Sequence, residues 1–296
     1  MESNKYQFPE NIKIEDKDFT LVKIQRDGIT AIYKENDIFL RIGDEERISR
    51  DLETHKEMLA IGFPIAQILS EGHTQNYKYF IETSLGDENF SSIFTKEINE
   101  IGKISDKSFN NFLSLTNKLG EAQLKTISDD KDFIKFSKDI HLDMLLDELP
   151  RYAENIQSRF DKAVGRLSEL PFVLTHGDFN PFNTHQKGII DLENSSWAPF
   201  GYDIISAIGT NEYFPFVKDI HANNFEFTSG YKFSEDQKGT YLGLFGTQLA
   251  KLNLSPLSTY LEDLMFTRAI WLLVRMHKWP KIQRYRYDKF IREYLN

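Results

Sequence analysis

The chain has 296 residues, a formal net charge of −9, and 40% apolar and 27% charged residues. This length suits about two domains, since one domain takes roughly 100–200 residues. The acidic balance argues against a general nucleic-acid binder and against binding to anionic membranes, because both require a basic surface. The chain contains no cysteine, which excludes disulfides, thiolate zinc sites and a cysteine nucleophile.

The first residues contain no apolar segment of the kind that secretory signals need. Elsewhere, no apolar run approaches the roughly 18 residues of a membrane-spanning helix. We therefore expect a cytoplasmic protein.

The first third of the sequence alternates apolar residues with turn residues, a pattern typical of short β-strands. Strands are predicted at residues 19–25, 29–34, 37–42, 65–70 and 77–83. A helix is predicted over residues 46–61, because apolar side chains recur there on one face and Gly62 follows as a stop signal. Residues 1–86 therefore form a small antiparallel sheet with one inserted helix, the predicted N-lobe.

From residue 91 onward the pattern is mainly helical. Helices are predicted at residues 106–126, 140–168, 201–212, 234–252, 257–278 and 281–294. Only residues 172–192 break this pattern, with two short β runs around a polar loop. A β-rich lobe followed by a helical C-lobe, residues 87–296, is an α+β arrangement in which we expect a cleft between the lobes.

The strongest chemical signal is the segment LTHGDFNPFN at residues 174–183, followed by GIIDLE at residues 188–193. Phosphoryl transfer needs a carboxylate that accepts the proton of the attacking hydroxyl, and hard oxygen ligands that hold Mg²⁺ on the phosphates. Asp178 suits the catalytic base, and Asn183 and Asp191 suit the metal ligands. The five-residue spacing from Asp178 to Asn183 is also that of a kinase catalytic loop.

These residues resemble the aminoglycoside phosphotransferase and choline kinase-like phosphotransferases, which share the protein-kinase fold. The resemblance rests on residues 176–183, 190–191 and 201–204. It implies an ATP- and Mg²⁺-dependent kinase of small molecules, with Asp178 as the base. It also implies that Asn183 and Asp191 bind Mg²⁺ and that Asp203 is a structural residue supporting the catalytic loop.

The resemblance extends, less strongly, into the N-lobe. Residues 37–42 are similar to the family's third strand, where a Lys or Arg reaches the nucleotide phosphates, so Arg41 is the predicted phosphate contact. The resemblance implies a carboxylate partner on the following helix. Glu53 is the predicted partner, with Glu57 and Glu46 as rivals.

Other interpretations stay open beside the kinase. The loop at residues 25–30 has one glycine, so a non-catalytic, kinase-like nucleotide- or ligand-binding module is the alternative. A protein kinase ranks last, because the chain has neither a DFG nor an APE motif. The lack of a GxxxxGK[ST] sequence argues against a P-loop NTPase.

Two arginines near the C-terminus, Arg268 and Arg275, are seven residues apart and share a helical stripe with apolar residues such as Trp271. A charged residue on an apolar stripe is usually paired or lines a cavity. We predict an internal ion pair, and a contact with the acceptor pocket is the alternative.

The predicted partners are ATP, Mg²⁺ and a small-molecule hydroxyl acceptor, with no nucleic acid and no membrane. An amino alcohol, a sugar and an aminoglycoside are all open as the acceptor. The acidic charge and abundant aromatic residues favour a cationic one. His176 is predicted to be a buried histidine that braces the loop. Glu193 either braces the loop or lies near the metal or substrate.

Overall fold

The protein is described by a computed structural model that covers residues 7–25, 27–74, 77–218, 228–275 and 280–295. The chain divides into two compact units, which are residues 1–88 with 185–193, and residues 89–184 with 194–296. Arg26 of the 25–30 loop and residues 276–278 of the helix predicted over 257–278 lie outside the described residues.

The first unit contains a six-stranded antiparallel sheet with the strand order β1-β2-β3-β4-β6-β5. The strands are β1 (Asn11–Ile14), β2 (Lys17–Ile24), β3 (Thr30–Glu35), β4 (Ile38–Gly43), β5 (Ile68–Thr74) and β6 (Tyr77–Thr83). Four of the five predicted strands lie within two residues of these bounds. The fifth, predicted over residues 65–70, is displaced towards the C-terminus, and β1 was not predicted.

Both faces of the sheet are covered, because β6 alternates its buried side chains between two apolar clusters. On one face, Ile81 packs in a cluster with Tyr33 and Leu40. On the other face, Phe80 packs against Ile48 and Leu52. These last two residues belong to helix α1 (Glu45–Ile61), which confirms the predicted inserted helix.

Residues 185–193 pack with the sheet rather than with the helices around them in sequence. The Ile189 amide donates to the Pro64 carbonyl at 2.8 Å, and the Lys187 amide donates to the Leu85 carbonyl at 3.2 Å. A Cβ on Gly188 would lie 2.5 Å from the Pro64 oxygen, so this approach requires glycine. The predicted C-lobe, residues 87–296, includes this segment, whereas the structure groups it with residues 1–88.

The second unit is mainly helical. Its helices are α2 (Phe90–Ile101), α3 (Asp106–Gln123), α4 (Phe133–Asp139), α5 (Leu142–Glu148), α6 (Ala153–Leu167), α7 (Tyr202–Tyr213), α8 (Glu235–Lys251), α9 (Leu261–Arg275) and α10 (Pro280–Tyr294). The single helix predicted over residues 140–168 is wrong: it is interrupted, and a short 3₁₀ turn at Pro150–Tyr152 separates α5 from α6. Proline favours this interruption, since it lacks the amide hydrogen that a continuing helix needs. Helix α2 was not predicted.

Four short strands complete the chain: β7 (Phe172–Thr175), β8 (Thr184–His185), β9 (Gly188–Ile189) and β10 (Ser196–Pro199). β7 pairs antiparallel with β10, and β8 pairs with β9. Within the described residues, no helix has the length and apolar character needed to cross a membrane.

The core of the second unit is rich in aromatic rings, as the composition suggests. Phe112 stacks on Phe179 and on Tyr241, with centroid distances of 5.7 and 5.8 Å. Phe179 is the residue after Asp178, and it is fully buried. The loop that follows β7 is therefore anchored in the apolar core next to its candidate catalytic residue.

Candidate active site

The backbone after β7 makes a turn that only glycine can follow without strain. Gly177 has φ +81°, in the left-handed region, and a Cβ added there would lie 1.9 Å from the Asn194 carbonyl oxygen. Ordinary residues avoid both this φ and this contact. Thr175 fixes the start of the turn by donating its hydroxyl to the Ser196 carbonyl at 2.7 Å.

Asp203, at the start of α7, holds the backbone at residues 176 and 177 through hydrogen bonds. Its carboxylate accepts from the amides of His176 and Gly177 at 2.6 and 2.9 Å, and from Gln123 Nε2 at 2.6 Å. Burial raises the pKa of Asp203, and electrostatic interactions with His176 and Arg268, together with the amide hydrogen bonds from His176 and Gly177, oppose that increase. Asp203 therefore supports the loop after β7, which is the structural role that the resemblance implies.

Three side chains hold the carboxylate of Asp178. Its Oδ1 accepts from Asn180 Nδ2 at 2.8 Å and from Arg268 Nη2 at 2.9 Å. Its Oδ2 accepts from Asn183 Nδ2 at 3.0 Å. The side chain keeps 21% of its surface exposed. The group predicted to be the base is thus oriented by the protein and also accessible.

The amide of Asn183 has a fixed orientation, because only its nitrogen can donate to acceptors. That nitrogen donates to the backbone carbonyl of Asp178 at 2.9 Å as well as to the carboxylate. The amide oxygen therefore points away from Asp178. A hard cation prefers such an oxygen as a ligand.

Asn180 was not singled out by sequence reasoning, although it lies inside the motif. Its Nδ2 donates to the Asp178 carbonyl and carboxylate, and its Oδ1 accepts from the Phe182 amide at 2.9 Å. This is the turn-bracing chemistry that asparagine side chains favour in loops. The residue type of Asn180 indicated a turn-bracing role, but the sequence did not indicate which groups its side chain would bind.

Arg268 forms the internal ion pair that the apolar stripe predicted, and its partner is Asp178 itself. The two residues are 90 positions apart in the sequence, and Arg268 is fully buried on α9. Arg275 lies at the end of α9, where it is exposed and lies 5.7 Å from the Trp271 ring. The two arginines therefore share a stripe but not an environment.

In the first unit, Arg41 on β4 pairs with Glu82 on β6. Its Nε donates to Glu82 Oε1 at 2.7 Å across neighbouring strands. Burial acts to lower the pKa of Arg41, but Glu82, Asp51 and Asp191 outweigh burial and raise it. The guanidinium is therefore charged and lies in an acidic environment that includes Asp191.

The predicted pairing of Arg41 with Glu53 is wrong in this structure. Glu53 is exposed, because it lies one residue beyond the buried Leu52 and so turns about 100° away from the sheet-facing side of α1. The strand carboxylate of Glu82 occupies the position that a helix carboxylate was expected to take. The carboxylate on α1 that acts on Arg41 is Asp51.

Asp191 and Glu193 follow β9 within the first unit. Asp191 has φ +69°, an uncommon conformation for a residue other than glycine. Such strain concentrates at functional sites. Glu193 Oε2 lies 3.4 Å from Arg47 Nη2, so this contact links the segment after β9 to α1.

A pocket of about 500 Å³ lies beside the catalytic loop in the second unit. Six of its seven lining residues have polar or charged side chains and come from α2, and the seventh contributes a ring from the loop: Ser91, Ser92, Thr95, Lys96, Asn99, Glu100 and Phe182. Phe182 immediately precedes Asn183. Separately, the described residues contain no group of three or more His, Asp or Glu side chains placed to hold a metal.

Comparisons with known proteins point to phosphotransferases. Residues 119–232 match the model of the Phosphotransferase enzyme family, APH. This range contains Asp178, Asn183, Asp191 and Asp203. The match confirms the resemblance seen in the sequence and supports a phosphotransferase, without specifying its substrate. A comparison with curated proteins finds no match.

Solved structures of phosphotransferases are similar over nearly the whole chain. One is a thermostable mutant of aminoglycoside phosphotransferase APH(4)-Ia in a ternary complex with AMP-PNP and hygromycin B, with TM-score 0.54, 11% identity and 93% of each chain covered. Another is the apo form of a thermostable mutant of that enzyme, with TM-score 0.52, 10% identity, and 93% of this chain and 94% of that chain covered. These two similarities concern the fold alone, and they confirm the predicted α+β, protein-kinase-like fold.

Proposed function

We propose that the protein is a kinase that transfers the γ-phosphate of ATP to a hydroxyl group of a small molecule, with Asp178 as the catalytic base. The observation that carries this proposal is the carboxylate of Asp178, which three donors orient while 21% of its surface stays exposed. A general base must lie within hydrogen-bonding reach of the proton that it accepts. A fixed and accessible carboxylate meets this requirement.

Arg41 is the proposed contact for the nucleotide phosphates. Glu82 accepts from its Nε, so the two Nη groups are available to bind phosphate oxygens in the bidentate manner that arginine favours. The side chain is 23% exposed, which leaves it accessible to a ligand. The proposal extends to ATP the nucleotide binding seen in the similar complex with AMP-PNP.

Asn183 and Asp191 are the proposed Mg²⁺ ligands. An amide oxygen and a carboxylate fit this ion, which completes its coordination with phosphate oxygens and water. The orientation of the Asn183 amide fits the assignment, since its nitrogen is taken up by Asp178. When bound, Mg²⁺ neutralises phosphate charge and aligns the γ-phosphate for transfer.

The proposed reaction follows from these roles. The acceptor hydroxyl donates a hydrogen bond to the Asp178 carboxylate, and its oxygen attacks the γ-phosphorus opposite the bridging oxygen of ADP. A new phosphorus–oxygen bond forms as the bond to ADP breaks, and the hydroxyl proton passes to Asp178. Catalysis of this kind depends mostly on positioning and on charge neutralisation.

The pocket beside Phe182 is the proposed acceptor-binding region. Its hydroxyl, amide and carboxylate side chains suit a polyhydroxylated or amino-substituted molecule, and Glu100 offers a countercharge for a cation. An amino alcohol, a sugar and an aminoglycoside all fit this description. The last of these is the class to which hygromycin B belongs in the similar complex.

The test is an ADP-release assay with Mg·ATP against a panel of amino alcohols, sugars, nucleosides and aminoglycosides. Asp178→Asn is the blank, because it keeps the size of the side chain and removes the base. We expect acceptor-dependent ADP release that falls by about 10²–10⁴-fold in the variant. Thermal unfolding of the variant checks that its fold is intact.

Unchanged turnover in Asp178→Asn would remove Asp178 as the base. Nucleotide binding without turnover for any acceptor would instead favour a kinase-like binding module. The loop at residues 25–30 is the observation behind that alternative, because Asp27 Oδ1 closes it by accepting from the amides of Ile29 and Thr30 at 3.0 and 3.2 Å. Those two amides are bound within the loop, whereas the glycine-rich loop of a kinase covers the nucleotide phosphates.

A further inference from the structure

We propose that Arg268 is a positioning residue for the catalytic loop, holding the carboxylate of Asp178 and the backbone before it in one fixed geometry from helix α9. This inference rests on the proposed function, in which Asp178 is the base. Arg268 lies outside the motif and near the other end of the chain, and the sequence assigned it no catalytic role.

The guanidinium of Arg268 binds two consecutive residues of the loop with two different nitrogens. Nη1 donates to the Gly177 carbonyl at 2.6 Å, and Nη2 donates to Asp178 Oδ1 at 2.9 Å. Because the guanidinium is planar and rigid, these two bonds fix the carboxylate relative to its own backbone. A single charge placed nearby would attract Asp178 without fixing the orientation of its carboxylate relative to the backbone.

The arginine is itself held firmly. Its guanidinium lies 4.0 Å from the centroid of the Trp271 ring and 5.3 Å from that of Tyr202. Its aliphatic part packs against α7, where a Cβ on Gly209 would lie 3.2 Å from Arg268 Cγ. The side chain is fully buried. The donor that orients the carboxylate therefore has little freedom to move.

Burial of an ion pair is weak support for stability alone, since desolvation offsets most of the attraction and apolar substitutes are often as stable. The proposed role of this ion pair is therefore in the geometry of the loop and not in stability. Arg268 also acts electrostatically on Asp203, the second carboxylate beneath the same loop. One guanidinium thus serves both carboxylates that shape the turn.

The experiment compares Arg268→Met, Arg268→Lys and Arg286→Met. Met keeps the apolar stem and removes the charge and donors, and Lys keeps the charge but not the rigid two-armed geometry. Arg286 is the matched control, because it is also fully buried, donates to the Leu272 carbonyl and lies 4.8 Å from the Phe214 ring. It makes no described contact with the catalytic loop.

Two quantities are measured: kcat with KM for ATP, and hydrogen–deuterium exchange of the amides of residues 174–183. In Arg268→Met, kcat should fall by about 10²-fold, because small displacements of reacting groups have effects of this size. KM for ATP should change by less than about threefold, since Arg268 binds the loop at Gly177 and Asp178 whereas the proposed phosphate contact is Arg41. Exchange in residues 174–183 should be faster, and Arg268→Lys should be intermediate in both measurements.

Arg286→Met should lose thermal stability while keeping its kcat and the exchange of residues 174–183. An equal fall of kcat in Arg268→Met and Arg286→Met at equal stability would reduce Arg268 to a structural residue and overturn the proposal. If Arg268→Met does not fold, Arg268→Lys decides, and wild-type kcat and exchange in that variant would overturn it. If the wild type phosphorylates no acceptor, the proposed function fails, and the exchange data still decide whether Arg268 holds the loop.

Discussion

Each unit of the protein contains an arginine–carboxylate pair, and the two pairs are arranged in opposite ways. Arg41 pairs with Glu82 at 2.7 Å in the first unit, and Arg268 pairs with Asp178 at 2.9 Å in the second. In the first pair the carboxylate is 7% exposed and the arginine 23%. In the second pair the arginine is 0% exposed and the carboxylate 21%.

The exposed member of each pair is the one whose sequence context predicted a chemical role. Arg41 is the proposed phosphate contact, and Asp178 is the proposed base. The buried member holds its partner in place, because a charge removed from water has few other groups with which it can interact. An arginine–carboxylate pair thus leaves the cation accessible in one unit and the anion accessible in the other. Burial of the other member decides which charge is accessible.

The largest effect is expected from Gly177→Ala, which moves the backbone of the second pair without removing either charge. Alanine in the left-handed region costs about 1–2 kcal/mol, and the clash with the Asn194 carbonyl adds to this. We expect a lower free energy of unfolding and a fall in kcat on the order of 10²-fold. Denaturant unfolding and steady-state kinetics measure the two effects.

Gly165→Ala is the matched control for that substitution. Gly165 is exposed in α6, and a Cβ there meets no atom within 4 Å. Alanine should stabilise this helix by about 0.5–1 kcal/mol and leave kcat unchanged. If Gly177→Ala behaves like Gly165→Ala, then the turn tolerates a side chain and the second pair does not depend on its backbone.

Much of the fold follows from local sequence. The alternation of apolar residues predicts β2, β3, β4 and β6, and the apolar face of residues 46–61 predicts α1. Helix α1 begins at an Asp44 cap and ends at Gly62 with φ +99°, both of which are local signals. The predicted helix over residues 140–168 failed because the apolar period continues across the interruption before Pro150, so periodicity alone could not show where the helix breaks.

The candidate site was predictable from the sequence where its residues lie in a motif or on a regular strand. Asp178, Asn183 and Asp191 lie within one short motif, and Arg41 lies on a regular strand. Their partners come from elsewhere in the chain: Glu82 is 41 residues from Arg41, and Arg268 is 90 residues from Asp178. Periodicity predicted that Arg268 would be paired, but no local signal connects one strand or helix with a specific partner on another.

The smallest effects are expected in the first pair, from Glu82→Gln and its control Glu53→Gln. Glu82→Gln keeps the shape of the side chain and removes the charge that accepts from Arg41 Nε. Hydrogen bonds to charged groups contribute about 1.5–3 kcal/mol, so the free energy of unfolding should decrease by an amount in that range. The dissociation constant for ATP should rise by several-fold, because Arg41 is then free to turn away from the phosphates.

Glu53→Gln tests whether the partner of Arg41 is the strand carboxylate of Glu82 or the helix carboxylate of Glu53. Because Glu53 is exposed, its substitution should change the free energy of unfolding by no more than about 0.5 kcal/mol and leave ATP binding unchanged. Calorimetric titration with ATP and denaturant unfolding measure both quantities.

If Glu53→Gln weakens ATP binding as much as Glu82→Gln does, the helix carboxylate engages Arg41 when nucleotide is bound. The first unit would then exchange partners during binding. In the second pair the arginine is buried on α9, and the two carboxylates of that helix, Glu262 and Asp263, are already bound by Arg159, with Arg166 also binding Asp263. The first pair would then be adjustable and the second pair fixed.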